Sequence, residues 1–224
     1  MVGLPEQESR QSAIEKESAN KGDIVQGAFV DTYSNLTYKH IMALRWATRY
    51  CPSAKFVVKI DDDVYVDVWR LADEIDRRFG LSVGTQHLIC CGHVFANNTV
   101  YRDPQSKYYV TRSEWPRDGA YPPFCAGAAI LYSSDVVAKM DAESQTTPYF
   151  RLDDVYVTAV LRQRLGLNMK VFEGKLEWRP NVVRRYIDAK TKPDFLFALT
   201  AEPTQILLLW QLRQSGAVSK DGGR

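Results

Sequence analysis

The sequence predicts an α/β protein: a mixed, largely parallel sheet flanked by helices. Short runs of β-prone residues alternate along the chain with stretches whose apolar residues recur at helical spacing. Hydrophobic residues make up 45% of the 224 residues, enough for a sizeable core in one domain. Turn-forming Gly, Pro, Asn and Asp punctuate the runs.

Taken in order, the first 22 residues, "MVGLPEQESRQSAIEKESANKG", form a polar segment without a hydrophobic signal core. It is expected to fray at its start, with Ile14–Ser18 as the end of a helix. A domain is expected over 23–215 and a flexible tail over 216–224. "DIVQGAFVDTY" reads as a short strand and an acidic loop. "NLTYKHIMALRWATRYC" reads as a helix with Leu36, Ile41, Leu44, Ala47 and Cys51 near one face. Phe56, Val57, Val58 and Ile60 make a buried strand. In "DVWRLADEIDRRFG", Val68, Leu71, Ala72, Ile75 and Phe79 recur at helical spacing, with Asp67 as N-cap and Gly80 as stop. "HLICCGHVFA" and "KYYVT" read as strands and "EWPRDGAYPPFCAG" as an aromatic, Pro-rich loop. "AAILYS" is a strand, and a helix starts at Ser133 or Ser134. "LDDVYVTAVLRQRLG" is a further helix, with Val157, Val160, Leu161 and Leu165 inward and Gly166 as its stop.

Charge and composition exclude several functions. A formal charge of +2 without a basic run argues against a nucleic-acid surface. No stretch reaches the ~18 apolar residues of a membrane span. Cys51, Cys90, Cys91 and Cys125 contain no Cys-x-x-Cys pair, which leaves a zinc or thioredoxin site without support. If Cys90 and Cys91 lie in a strand, they point to opposite faces, and at most one is expected to face the core. Two glycosylation sequons, Asn35-Leu36-Thr37 and Asn97-Asn98-Thr99, point weakly to a secretory location.

Two acidic clusters carry the candidate chemistry. Asp61, Asp62 and Asp63 follow an apolar strand, between that strand and a helix. Like charges in a row repel one another, so something positive should compensate them. The carboxyl edge of an open α/β sheet is where ligands bind, and carboxylate oxygens suit Mg²⁺ or Mn²⁺. A solvated acidic turn is the alternative. An EF-hand is excluded, because Val66 and Ala72 stand where its Gly and Glu belong. Asp153 and Asp154 open a helix, where acids cap the positive end of the dipole; such a carboxylate can also serve as a base.

Four blocks in order then carry a family resemblance: "DIVQGAFVDTYSNLTYKHIMALRWATRYC", "FVVKIDDDVYVD", "YPPFCAG" and "LDDVYVT". They resemble the family 31 glycosyltransferases, the β-1,3-galactosyl- and N-acetylglucosaminyltransferases of the Golgi. The resemblance implies a GT-A-like glycosyltransferase fold and transfer of galactose or N-acetylglucosamine from a UDP-sugar, with inversion, to a glycan acceptor. It implies a Mn²⁺ or Mg²⁺ cofactor held by Asp61 and Asp63. It places Asp61 and Asp62, with Tyr121 and Gly127 of the aromatic loop, on the donor side, and makes Asp154 the catalytic base. It implies a Golgi-lumenal, type II membrane protein in full-length form, and a Cys51–Cys125 disulfide, since both cysteines belong to family-like motifs.

The departures are specific. The family's first nucleotide-binding strand, with its Arg- and Trp-containing motif, is not recognisable before Asp23. Thr158 replaces a glycine, Ala128 and Ala129 replace others, and Thr200 stands where a metal-ligating His is expected. An active transferase and a non-catalytic relative that binds glycans or a partner enzyme therefore both remain open. A metal-dependent phosphohydrolase would need more His or Asp ligands than this order offers.

Overall fold

The computed structural model describes residues 1–80 and 87–215. In order the elements are β1 (Val2–Leu4), α1 (Glu8–Lys21), β2 (Gln26–Val30), a 3₁₀ turn (Tyr33–Asn35), α2 (Leu36–Tyr50), β3 (Phe56–Ile60), β4 (Val64–Val66) and α3 (Val68–Phe79). Next come β5 (Ile89–Cys91), β6 (Val94–Phe95), β7 (Phe124–Cys125), β8 (Ala129–Ser133) and α4 (Ser134–Ser144). One helical stretch follows as α5 (Asp153–Val155), a π-helical segment (Tyr156–Leu161) and α6 (Arg162–Arg164). β9 (Met169–Val171), β10 (Leu176–Glu177), α7 (Pro180–Asp188), β11 (Phe197–Leu199) and α8 (Pro203–Gln214) complete the order. Parallel and antiparallel pairings occur together. β1-β2, β5-β9 and β10-β11 pair in parallel, whereas β5-β8 and β4-β11 are antiparallel. The tail expected over 216–224 lies outside the described residues.

The chain gathers into two compact units. The first comprises Met1–Val57, Phe95–Phe124 and Ser134–Asn168. Its N-terminal segment is more ordered than expected: residues 1–22 contain a strand, and the helix expected to end over Ile14–Ser18 runs from Glu8 to Lys21. β1 is so short that its pattern is invisible in the sequence. Gly3 makes the pairing possible, because a Cβ there would come within 2.6 Å of the Phe29 carbonyl oxygen. The Gly3 amide donates to the Asp31 carboxylate at 2.8 Å. α1 buries no residue, so it lacks the apolar stripe that reveals most helices; Gly22 ends it at φ 68°.

α2 turns Leu44 and Ala47 inward as expected, but the stripe continues through Thr37 and His40. It buries Thr37, His40, Leu44 and Ala47, whereas Leu36, Ile41 and Cys51 are only half-buried. These positions share one helical face, and α4 packs against α2. Two polar side chains on that stripe need partners, and they find them at Phe150, ahead of α5, and at Asp153, its first residue. The strand expected at 107–111 is absent. There Tyr109 and Val110 bond locally, to the Ser106 and Tyr101 carbonyls at 2.9 Å each.

The second unit comprises Val58–Val94, Cys125–Ser133 and Met169–Arg224. A four-stranded sheet runs in the order β3-β8-β5-β9, and a three-stranded sheet in the order β10-β11-β4. β8 is buried along its whole length, as expected of a strand covered on both faces. Asp67 caps α3 by accepting from the Arg70 amide at 3.1 Å, and Gly80 ends it at φ 70°, as the sequence predicts. Tyr65, Val183, Phe195, Ala198 and Leu209 form a buried cluster with Trp210 against it.

The cysteines correct two expectations. Cys91 is bonded to Cys125, with Cα atoms 5.3 Å apart, and Cys51 and Cys90 are free. Cys90 and Cys91 do alternate across β5, but both are fully buried because both faces of the strand are covered. Cys91 faces Cys125; Cys51 terminates α2 instead.

Candidate active site

The acidic triplet sits in a loop between two strands. β3 brings the chain to Asp61, and β4 carries it away from Asp63 before α3 begins. The sequence predicts a direct strand-to-helix passage, and β4 is the difference. β4 pairs antiparallel with β11, setting Val64 opposite Leu199. That register places Thr200 beside Asp63. The Thr200 amide and hydroxyl both donate to the Asp63 carbonyl oxygen, at 2.9 and 2.8 Å. Thr200 is buried, and its hydroxyl serves the backbone of the acidic loop.

Lys59 supplies the missing positive charge. Its ammonium lies 2.5 Å from Asp61 Oδ1 and 2.6 Å from the Gly127 carbonyl oxygen. One lysine does not balance three acids. The Asp63 carboxyl is held above the ordinary aspartate range, first by lost hydration and then by the Asp61 carboxylate, with Asp62 adding to it. Asp62 and Asp63 are exposed, and Asp61 is half-buried. The loop thus offers hard oxygen donors with surplus negative charge, which is what a divalent cation prefers. Among the described residues no group of three His, Cys, Asp or Glu side chains converges to complete a cage.

The second acidic cluster belongs to the first unit. His40, with only 1% of its side chain exposed, meets Asp153 through Nδ1 at 2.9 Å from Oδ2. The Thr37 hydroxyl donates to the Phe150 carbonyl at 2.7 Å. These contacts clamp the start of α5 and the residues ahead of it onto α2 and so fix where Asp154 stands. Asp154 Oδ1 accepts from the Val155 amide at 2.8 Å. The Thr158 hydroxyl donates to the Asp154 carbonyl at 2.6 Å. This i−4 bond runs into the π-helical segment, where the backbone ladder is already loosened. Thr158 is fully buried, so the methyl and hydroxyl it carries in place of hydrogen are packed.

Tyr121 is a packed residue. It is 3% exposed, with its ring 5.1 Å from Trp115 and edge-on to Phe124. Among the described residues its buried hydroxyl has no hydrogen-bond partner. Burial, with Asp154 and Glu114 adding to it, outweighs Arg102 and Arg151 and pushes that hydroxyl up to about 12. An orphaned phenol within electrostatic reach of Asp154 is a polar group awaiting a partner. In the second unit Gly127 gives its carbonyl to Lys59. Ala129 is fully buried in β8, and Ala128 accepts weakly from the Asp61 amide at 3.4 Å, so both alanines are packing residues.

A galactosyltransferase family model matches residues 1–173. The chain belongs to the galactosyltransferase family. The match includes residues 1–22, outside the domain expected from the sequence, and ends before β11, α8 and Thr200. The β-1,3-galactosyltransferase 5 of Pan troglodytes is 33% identical over 184 residues, covering 82% of this chain and 60% of that protein. A human acetylgalactosaminyl-O-glycosyl-glycoprotein β-1,3-N-acetylglucosaminyltransferase is 31% identical over 226 residues, covering 98% and 57%. The β-1,3-galactosyltransferase 1 of Mus musculus is 36% identical over 166 residues, covering 74% and 49%. This family member thus spans about 60% or less of the length of the curated relatives it matches. A solved glycosyltransferase involved in glycosylation of the major capsid of PBCV-1 aligns over 95% of this chain and 96% of that one. Its identity is 14% and its TM-score 0.38, a likeness too loose to bear on the fold.

Sequence reasoning missed His40 and Lys59. A signal existed for Lys59, a lone cation in the apolar run "FVVKI" two residues before the acids. His40 had none, because its partner lies 113 positions away.

Proposed function

We propose that this family member is a hexosyltransferase that moves galactose or N-acetylglucosamine from a UDP-sugar to a glycan acceptor in β-1,3 linkage. An acceptor hydroxyl oxygen attacks the anomeric carbon, the bond to the diphosphate oxygen breaks, and configuration inverts. Asp154 takes the hydroxyl proton. Its carboxylate is half-buried and held at a helix start by neighbours that are themselves anchored, which suits a positioned base. Tyr121, packed between Trp115 and Phe124, would shape the sugar side of the site from beneath.

Asp61 and Asp63 would hold a divalent cation, with Asp62 beside them facing the nucleotide and Gly127 on the donor side. A bound Mn²⁺ or Mg²⁺ would neutralise charge on the departing diphosphate. Lys59 keeps Asp61 in place and tempers its repulsion from Asp63. The family's GT-A-like architecture fits the mixed sheets. An oxidising compartment such as the Golgi lumen fits the Cys91–Cys125 bond.

The observation that carries this reading is the pinned acidic loop in a chain of the galactosyltransferase family: three carboxylates, one lysine, and a backbone tied by Thr200. The test pairs calorimetry of UDP with manganese and a transfer assay using UDP-galactose and UDP-N-acetylglucosamine. Asp63→Ala should lose manganese-dependent nucleotide binding. Asp154→Asn should bind nucleotide normally and transfer roughly 10²–10⁴-fold more slowly, the range for a lost general base. Absence of nucleotide binding by the unmutated chain, alone and extended upstream, would sink the proposal.

A further inference from the structure

Three tyrosines of the first unit lie together at the surface without an assigned role. Tyr33 is 45% exposed, Tyr101 42% and Tyr108 39%. Tyr33 and Tyr108 meet at 6.4 Å between ring centroids, and Tyr101 and Tyr108 at 5.5 Å. The Lys107 ammonium lies 4.8 Å from the Tyr108 centroid and 5.8 Å from that of Tyr33. A contiguous aromatic patch left in water is costly, and a lysine drawn over it adds hydrogen-bond donors at its rim.

The patch stands on a braced support. The Arg102 guanidinium donates to the Val110, Trp115 and Arg117 carbonyls at 2.8, 2.7 and 2.9 Å. The Val110 amide returns to the Tyr101 carbonyl at 2.9 Å. Under Tyr33, the Tyr149 hydroxyl donates to the Ser34 carbonyl at 2.7 Å, and Asn35 donates to the Val30 carbonyl at 2.8 Å. The same clamp that fixes Asp154 fixes Tyr33. Tyr149–Ser34, Phe150–Thr37 and Asp153–His40 are three successive ties between segments 34–40 and 149–153.

We propose that Tyr33, Tyr101 and Tyr108, with Lys107, form a platform on which a hexose ring of the acceptor glycan stacks beside Asp154. The inference rests on the transferase reading for Asp154 and deepens it by saying where the acceptor lies. Sugar rings present apolar C–H faces and polar edges, which match aromatic faces rimmed by an ammonium. Tyr33 lies within electrostatic reach of the acids. Burial raises its hydroxyl above the tyrosine range, and Tyr108, Asp154 and Asp153 raise it further. A ring held over Tyr33 and Tyr108 is thereby kept near the carboxylate that must accept its proton.

The test compares Tyr33→Leu and Tyr108→Leu with Tyr33→Phe, Tyr108→Phe and a control, Tyr50→Leu, on the exposed end of α2. Each is measured in the transfer assay and by saturation-transfer NMR without donor. The probes are methyl β-galactoside and methyl β-N-acetylglucosaminide, whose aglycones cannot stack. The leucine variants should raise the acceptor KM about tenfold, as expected for one lost aromatic contact. Their kcat, donor KM and melting temperature should stay unchanged, and the phenylalanine variants should restore binding. An unchanged acceptor KM, an equal rise in Tyr50→Leu, or a raised donor KM would overturn the platform. If the unmutated chain transfers nothing, the NMR arm decides alone. Saturation transfer lost in both leucine variants supports the platform while the transferase reading falls. No transfer to either glycoside at millimolar concentration overturns it.

Discussion

Thr200 shows how one residue changes role with its surroundings. It stands where a metal-ligating His is expected from the family resemblance, yet its hydroxyl and amide both hold the Asp63 carbonyl. Thr200→Val keeps the shape and the amide bond and removes one hydrogen bond. It should cost about 0.5–1.5 kcal/mol in chemical denaturation and weaken UDP binding by loosening the acidic loop. Full-strength nucleotide binding by the valine variant would show that the loop does not depend on this strap. The sequons separate at the same scale. Asn97 and Thr99 are exposed, whereas Thr37 is buried on Phe150 and Asn35 is bonded to Val30. Expressed through a secretory pathway, the protein should carry glycan on Asn97 and not on Asn35. Peptide mapping after enzymatic deglycosylation reads this directly.

Among the elements, β1 depends on Asp31. That carboxylate accepts from the Gly3 amide and pairs with Lys39 at 2.7 Å. Burial alone would raise its pKa, but Gly3 and Lys39 outweigh burial and hold it below the usual aspartate range. A carboxyl depressed in the folded state stabilises above its unfolded value, near 3.9, and that contribution is lost as pH falls through the folded value. The β1–β2 amides should therefore lose protection, relative to their intrinsic exchange rates, below about pH 4, and Asp31→Asn should show that lower protection already at pH 7. Equal protection in wild type and Asp31→Asn at neutral pH would show that β1 is held by its backbone pairing alone.

For the whole molecule, the Cys91–Cys125 bond ties β5 to the entrance of the Gly127 loop. It closes a loop with a sequence separation of 34. Cross-linking such a loop stabilises by roughly 3–4 kcal/mol in the chain-entropy account. The Cys91→Ser/Cys125→Ser double variant should lower the melting temperature by several degrees. Cys51→Ser should not, because its thiol is free. Non-reducing peptide maps should return Cys91 and Cys125 as one linked pair. A fall in Cys51→Ser as large as in the double variant would reverse the assignment.

The sequence by itself determined the α/β class, the cap and stop of α3, and the two acidic clusters. These are local properties: period, capping chemistry and adjacent charge act within a few residues. β1 escaped, and α1 was legible only at Ile14–Ser18, because a three-residue strand and a helix with no buried face carry no period. The passage from the acids to α3 was misread because β4 is a strand only through its pairing with β11. Pairing across the fold also decided the rest. Lys59 reaches Gly127, His40 reaches Asp153, and Cys91 rather than Cys51 reaches Cys125. Each partner is chosen by which faces the packed backbone brings together. That choice rests on contacts between residues tens to more than a hundred positions apart, where sequence spacing holds no information.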